Sequence, residues 1–257
     1  MINRDGHIHT SFCPHGSKDP FEAYVQKAIR LGREEITFTE HFPLPKGVTT
    51  ESFTRECSLL EEEIELYFKD LRRIKAEFEG RIKINIGFEV DYVEGFEEQI
   101  RALLNVYGEQ VEDAILSVHF VKYQDVYYAI DELEDFEKLL EIAGNLEIVY
   151  DLYFRTVLKS IEADLGEFKP KRIGHPSLIR IFNRKHAIEY DDKGLFKEIA
   201  LKMAERGYEF DWNVAGLRKA YCGETYPSGR LLETLKQYGV NWVGGSDSHE
   251  ASQMGLL

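Results

Sequence analysis

Positive charge is scarce in this chain: 32 lysines and arginines stand against 46 aspartates and glutamates, a formal net charge of −14. No basic stripe offsets that balance, so long nucleic acids and anionic membranes are disfavoured as partners. An anionic substrate would need a local positive site, such as metal ions or focused arginines. Cysteine is sparse too. Cys13, Cys57 and Cys222 are odd in number and far apart, which implies no disulfide framework and makes a reducing cytoplasm the expected compartment. No apolar run reaches the roughly 18 residues of a membrane span, and the N-terminal "MINRDGHIH" has no run of signal-peptide length. Repeats, low-complexity tracts and Pro/Gly/Ser-rich linkers are missing, so residues 1–257 read as a single domain, a monomer or a small homo-oligomer. There is no GxxxxGK[ST] phosphate loop and no G-x-S-x-G elbow. A cysteine phosphatase would need C-x5-R, but the sixth positions after the three cysteines are Asp19, Glu63 and Ser228.

What the chain does have is a steady alternation of short β-rich runs and helical patterns. The runs that read as strands are Asp5–His9, Glu35–Thr39, Lys83–Glu89, Ala114–His119, Arg172–His175, Tyr208–Asn213 and Asn241–Gly244. Between them, Asp19 as N-cap before Pro20 opens a helix that Gly32 closes. Leu59–Phe78, Glu94–Tyr107 and Lys193–Arg206 are amphipathic, the last two ending at Gly108 and Gly207. Residues 120–131 break the rhythm as an excursion, and 131–166 supply helical pieces whose apolar Leu139, Leu140 and Ile142 are expected in the core. Strand–helix alternation of this kind means parallel strands with crossovers, either a barrel or an open doubly wound sheet.

Seven of the eight histidines sit at strand ends or on the loops just past them. His7 and His9, in "HIH", share a strand face. His15 is on the following loop, His41 follows strand two, His119 and His175 end strands four and five, and His249 follows strand seven with Asp247. Glu89 ends strand three. Six of the seven strands thus deliver a metal-type ligand to the pole where parallel α/β folds build their sites; the other ends in Asn213. Only His186 falls outside the pattern. This joint placement points to a multinuclear metal site, and mixed imidazole and carboxylate ligation suits Zn, Mn and Fe alike. Nine ligands match three ions with three or four each. Three divalent ions set against Glu89, Asp247 and one hydroxide leave a charge of about +3, which suits a phosphate dianion. Asp5 is the expected acceptor orienting an imidazole; Glu40, next to His41, points the other way on its strand and is left open between a site role and a purely structural one.

In this order, "DGHIHT", "FCPHG", "TEH", "GFE", "SVHF", "GHP" and "SDSH" resemble the polymerase and histidinol phosphatase (PHP) superfamily over nearly the whole chain. The resemblance implies a distorted (β/α)7 TIM-like barrel of α/β class holding a trinuclear metal centre. By it, His7, His9, Glu89 and Asp247 would hold one ion. Glu89, His119 and His175 would hold a second, with Glu89 bridging, and His15, His41 and His249 a third. Within the superfamily, "SFCPHG", "GFEVDY", "ILSVHF", "KRIGHPSLI" and "NVAGLRKAYCGETYPS" are similar to stand-alone histidinol-phosphate phosphatases. The family pattern continues into a final helix beyond its aspartate–histidine motif, whereas only eight residues follow His249 here.

The implied reaction is hydrolysis of a small phosphomonoester, L-histidinol phosphate in histidine biosynthesis. The attacking group would be a metal-bridging hydroxide held by Glu89, His119 and His175. Arginines would grip the phosphate: Arg218 first, then Arg155 and Arg180. Phe12, Tyr153 and Tyr221 read equally as pocket walls or as core, and Cys13 is expected to shape its loop rather than act as a nucleophile. The alternative within the superfamily is a phosphoesterase or nuclease acting on nucleotides or nucleic-acid ends. A non-catalytic metal-binding barrel is a rival of another class, but none of the nine ligand positions is empty. An amidohydrolase barrel would be expected to carry a lysine where this chain has Glu89.

Overall fold

Seven parallel strands lie side by side in chain order, and their carboxyl ends form one pole of the molecule. The computed structural model describes residues 3–256. The strands are β1 (Arg4–Ile8), β2 (Glu35–His41), β3 (Lys83–Asp91), β4 (Asp113–Ser117), β7 (Arg172–Ile173), β8 (Glu209–Asn213) and β9 (Asn241–Gly245). The sheet order is β1-β2-β3-β4-β7-β8-β9. All seven expected strands are present, with ends shifted by one to two residues.

Two seams distort the barrel. β4 and β7 share a single register pair, Leu116 with Ile173. β1 and β9 pack side by side without forming a ladder, and their backbones are joined by a parallel bridge from Ile8 to Ser248 at the site pole, just past β9. His9 N–H donates to Ser248 O at 2.9 Å there, and Asp247 N–H to His7 O at 2.8 Å. The result is the distorted (β/α)7 barrel expected, with one seven-stranded sheet and one main core.

The helices coat the outside because their apolar residues recur at helical spacing. In α1 (Phe21–Arg30) the buried residues are Phe21, Tyr24, Val25 and Ala28. In α3 (Ile64–Glu77), preceded by the short α2 (Glu51–Cys57), they are Ile64, Tyr67, Phe68, Leu71 and Ile74. Next come α4 (Glu97–Tyr107), α5 (Leu133–Ala143), α6 (Leu146–Glu162), α7 (Leu195–Glu205) and α8 (Gly229–Gln237). The 120–131 excursion is an antiparallel hairpin of β5 (Phe120–Tyr123) and β6 (Val126–Ala129). A small second cluster of Leu44, Val48, Val93, Phe120 and Ala129 packs beside it.

Several local expectations need correction. Asp19 does not cap α1. Pro20 occupies the N-cap position, and the Asp19 carboxylate instead accepts Ala251 N–H at 2.9 Å, pinning the segment after the last strand. Gly32 and Gly207 close their helices in the left-handed region; Gly108 also ends α4, as its C-cap, but in the right-handed region, where the chain runs on into a further tight turn and Phe168 packs on the glycine. Leu139 is buried, whereas Ile142 is 50% exposed. Among the described residues, no helix is long and apolar enough to cross a membrane.

Candidate metal centre and substrate cavity

The strand ends bring all nine expected residues to one pole. Glu89 is at the middle. Its Oε2 lies 3.3 Å from His7 Nε2, 3.4 Å from His9 Nε2 and 3.4 Å from His41 Nδ1. Its Oε1 lies 2.8 Å from His175 Nε2 and 3.8 Å from His119 Nε2, and accepts the Ser117 hydroxyl at 2.6 Å. Asp247 Oδ1 is 3.3 Å from His9 Nε2 and 3.8 Å from His7 Nε2. Three overlapping groups each keep their ligand atoms within 4.8 Å of one another: His7, His9 and Glu89; Glu89, His119 and His175; and His9, Cys13, His41 and His249. The third differs from the set the resemblance implies, because His9 and Cys13 stand close where His15 was expected. His15 is nonetheless adjacent, its Nε2 3.1 Å from His249 Nε2 and its ring 5.2 Å from that of His41.

Five of the imidazoles are oriented by an acceptor on Nδ1. His7 bonds Asp211 Oδ2 at 2.7 Å, His9 bonds Glu40 Oε1 at 3.3 Å and His119 bonds Asp91 Oδ1 at 2.8 Å. His15 bonds the Glu56 carbonyl at 2.9 Å, and His249 the Asp247 carbonyl at 3.2 Å. With the proton on Nδ1, each Nε2 carries a bare lone pair. Those lone pairs are aimed at one another: His7 and His9 Nε2 are 3.2 Å apart. Fully buried nitrogens so placed repel unless a proton or a cation lies between them. His41 adds to this, being buried with neither ring nitrogen hydrogen-bonded. The donor set therefore fits divalent metal ions with mixed nitrogen and oxygen ligation.

The charge states agree. Burial opposes protonation of His7, but Glu89, Asp247 and Asp211 outweigh it and raise its pKa to about 10; Asp91 and Glu89 do the same for His119. Burial and the neighbouring His9 hold His41 and His249 well below the usual histidine range. Glu89 and Asp247 stay ionised despite their burial, because the surrounding imidazoles lower both. In the protein without metal, His7 and His119 therefore keep a proton at neutral pH, whereas His41 and His249 do not.

A match to the PHP domain family spans residues 5–214. The chain belongs to the PHP family. Over 99% of its length it is 39% identical to the histidinol-phosphatase of Bacillus subtilis (strain 168), covering 96% of that protein. A crystal structure described as a candidate histidinol phosphatase from Listeria monocytogenes superposes with a TM-score of 0.92 at 38% identity, covering 98% of this chain and 97% of that one. The histidinol phosphate phosphatase of Lactococcus lactis subsp. lactis, solved with zinc, L-histidinol and phosphate, shares the fold. Its TM-score is 0.65 at 21% identity, with 97% and 87% of the two chains covered.

Beside the PHP centre lies a cavity of about 550 Å³. Arg218 lines it, its guanidinium donating to the carbonyls of Ser246 and Asp247, both at 2.9 Å. The other two arginines are not brought there. Arg155 lies exposed on α6, and Arg180 is committed to Glu224. Phe12 packs on Phe21 and Tyr67 as core, and Tyr221 is 47% exposed beside Phe182. Tyr153 is buried. Its hydroxyl donates to His175 O and accepts from Leu178 N–H, so it holds the ligand loop from behind. Cys13 shapes its loop as expected: its N–H bonds Thr10 O, its carbonyl accepts Gly16 N–H, and burial pushes its thiol up to about 12.

Asp5 does not orient an imidazole. Its Oδ1 accepts the backbone N–H groups of Ser246 and His7, and burial raises its pKa to about 6. The orienting is done by Glu40, which was left open, and by Asp211 and Asp91, which were missed. A signal for the last existed, since Asp91 lies two residues past Glu89 on the same strand face. Asp211 gives no such signal, because its partner His7 is on a strand 204 residues away in sequence.

Proposed function

We propose that this PHP chain is a histidinol-phosphatase, hydrolysing L-histidinol phosphate to L-histidinol and inorganic phosphate in histidine biosynthesis in the cytoplasm. Three divalent transition-metal ions (Zn, Mn or Fe) would serve it. His7, His9, Glu89 and Asp247 hold the first. Glu89, His119 and His175 hold the second, and His15, His41 and His249 the third. The observation that carries this reading is the convergence of the His7, His9 and His119 Nε2 atoms on Glu89, each of these imidazoles turned by a carboxylate on its Nδ1. The 39% identity to a histidinol-phosphatase over almost the whole chain supports the substrate.

Bound divalent ions supply Lewis acidity at the phosphoryl group and lower the pKa of water toward neutrality. The chain's residues do the rest. Glu89 presents one oxygen to each of two ligand groups and is positioned to bridge them. Arg218 lines the cavity with one terminal nitrogen fixed on two carbonyls, and its guanidinium would bring positive charge to the phosphoryl group. The cavity wall offers Phe53, Phe120 and Leu178 to an imidazole ring, and its rim offers Glu56, Asp131 and Glu132 to an ammonium group. The Cys13 thiol stays protonated, which favours direct attack by water over a covalent intermediate.

A phosphate-release screen on metal-analysed protein tests the reading, with histidinol phosphate, nucleotides and an aryl phosphate as substrates. Histidinol phosphate should be turned over fastest, and His119→Ala should lose most of that activity. No turnover by protein carrying two or three metals per chain would overturn it, and a strong preference for nucleotides would reassign the substrate.

A further inference from the structure

β8 is the one strand of the seven-stranded sheet whose end supplies no candidate metal ligand, yet its last residue is fully buried and touches three parts of the site. Asn213 Nδ2 donates to Asp211 Oδ2 at 2.9 Å and to Asp247 Oδ2 at 3.1 Å. Its Oδ1 accepts Ala215 N–H at 2.8 Å, at the start of the loop that carries Arg218. Its backbone is clamped by reciprocal 2.8 Å hydrogen bonds with Tyr226. Asp211 Oδ2, in turn, accepts from His7 Nδ1.

The chemistry of the amide explains why this residue type stands here. A primary amide has two N–H hydrogens and one acceptor oxygen, so it can serve two carboxylates and one backbone N–H at once. An aspartate would add a third carboxylate against two others. An alkyl group would strip partners from buried polar atoms. The contact also sorts the two oxygens of Asp247. Oδ2 is held by Asn213, which leaves Oδ1 facing His7 and His9. Sorting matters because Asp247 is in the left-handed region at φ +50°, a conformation that is strained for a non-glycine residue and persists only where its surroundings impose it. Asp211 is itself seated against Gly245, where a Cβ would come within 1.9 Å of Asp211 Oδ1.

We infer that Asn213 is a positioning residue. It sets the carboxylate of Asp247 and, through Asp211, the ring of His7 for the cation they share, and it ties both to the Arg218 loop. This rests on the metal-phosphatase reading above.

The test compares Asn213→Ala, Asn213→Asp and Asp211→Asn with wild type, by folding, bound metal per chain, the visible spectrum after cobalt(II) substitution, and kcat and KM for histidinol phosphate. The two Asn213 variants should be folded by circular dichroism, bind one ion per chain about 10–100-fold more weakly and show an altered cobalt spectrum. Added metal should partly restore kcat in Asn213→Ala, while its raised KM persists because the Arg218 loop is loosened. Asp211→Asn should weaken the metal with little change in KM. The proposal is overturned if either Asn213 variant folds with wild-type metal affinity and cobalt spectrum, even if it is less stable. Metal binding decides this point without turnover, so a wild type that binds metal but releases no phosphate would sink the phosphatase reading alone.

Discussion

Gly174 shows how tightly single residues are constrained here. A Cβ at this position would lie 1.9 Å from Ser117 Oγ and 2.7 Å from Ile115 Cγ2. Ser117 is the donor to Glu89 Oε1, and Gly174 immediately precedes His175, itself at φ +23°. Gly174→Ala should therefore displace the serine, cost about 1–3 kcal/mol in overpacking, and lower activity beyond what the stability loss explains. Thermal unfolding alongside phosphate release would check this, and wild-type values for both would contradict it. The residues that gather around Glu89 were readable from the sequence, because histidine and carboxylate at a strand end have few other reasons to recur. The residues that point at those residues were not. Asp211, Asn213 and Ser117 are ordinary strand residues until the barrel places them beside His7, Asp247 and Glu89, and the carboxylate that looked best placed, Asp5, is used up on backbone N–H groups.

At the level of elements, four strands are tied together by one ionic cluster away from the site pole. Arg172, on the two-residue β7, is 2% exposed and donates to Asp113 Oδ2 on β4 at 2.8 Å and to Gly6 O on β1 at 2.9 Å; Arg4 and Thr37 also reach Asp113. Burial works against the Asp113 charge, but Arg172, Arg4 and Thr37 outweigh it and hold its pKa below the usual carboxylate range. A depressed folded-state pKa means this stabilisation is fully present above about pH 4, the unfolded value, and is lost as pH falls through the lower folded value. Asp113→Asn should cost about 3–5 kcal/mol at neutral pH, because it strands a buried guanidinium, and should flatten the acid limb. Urea midpoints measured from pH 2 to 7 would show both. The strands themselves were legible through their β-rich runs and the glycines between them. Their pairing strength was not: nothing in "KRIGHP" says that β7 is reduced to two residues, because its brevity is set by contacts with β4 and β8. The seven-residue α2, with no buried residue, offers no apolar stripe to read.

For the molecule as a whole, protons and metals compete. The raised pKa of about 10 at His7 and His119 means that the metal-free fold is protonated at neutral pH. Those protons stabilise the metal-free form below about pH 6.5, and their contribution is lost as pH rises through 10. Metal binding must expel them. Calorimetric titration in buffers of different ionisation enthalpy should show proton release at pH 7, and affinity should climb between pH 6 and 9; a buffer-independent enthalpy would contradict this. Chelation should lower the melting temperature. Each ion held at about 100 times its dissociation constant adds roughly 2.7 kcal/mol of stability, and differential scanning calorimetry with and without added metal measures the difference.

The seam between β1 and β9 has a bearing on how the molecule is made. His7, His9 and His15 are synthesised more than 230 residues before Asp247 and His249, which stand across that seam from them. A growing chain therefore carries those three imidazoles through that whole interval without the residues that face them. A chain cut short between the two sets lacks the residues that close the barrel, so it should bind less metal than a chain that includes Asp247 and His249.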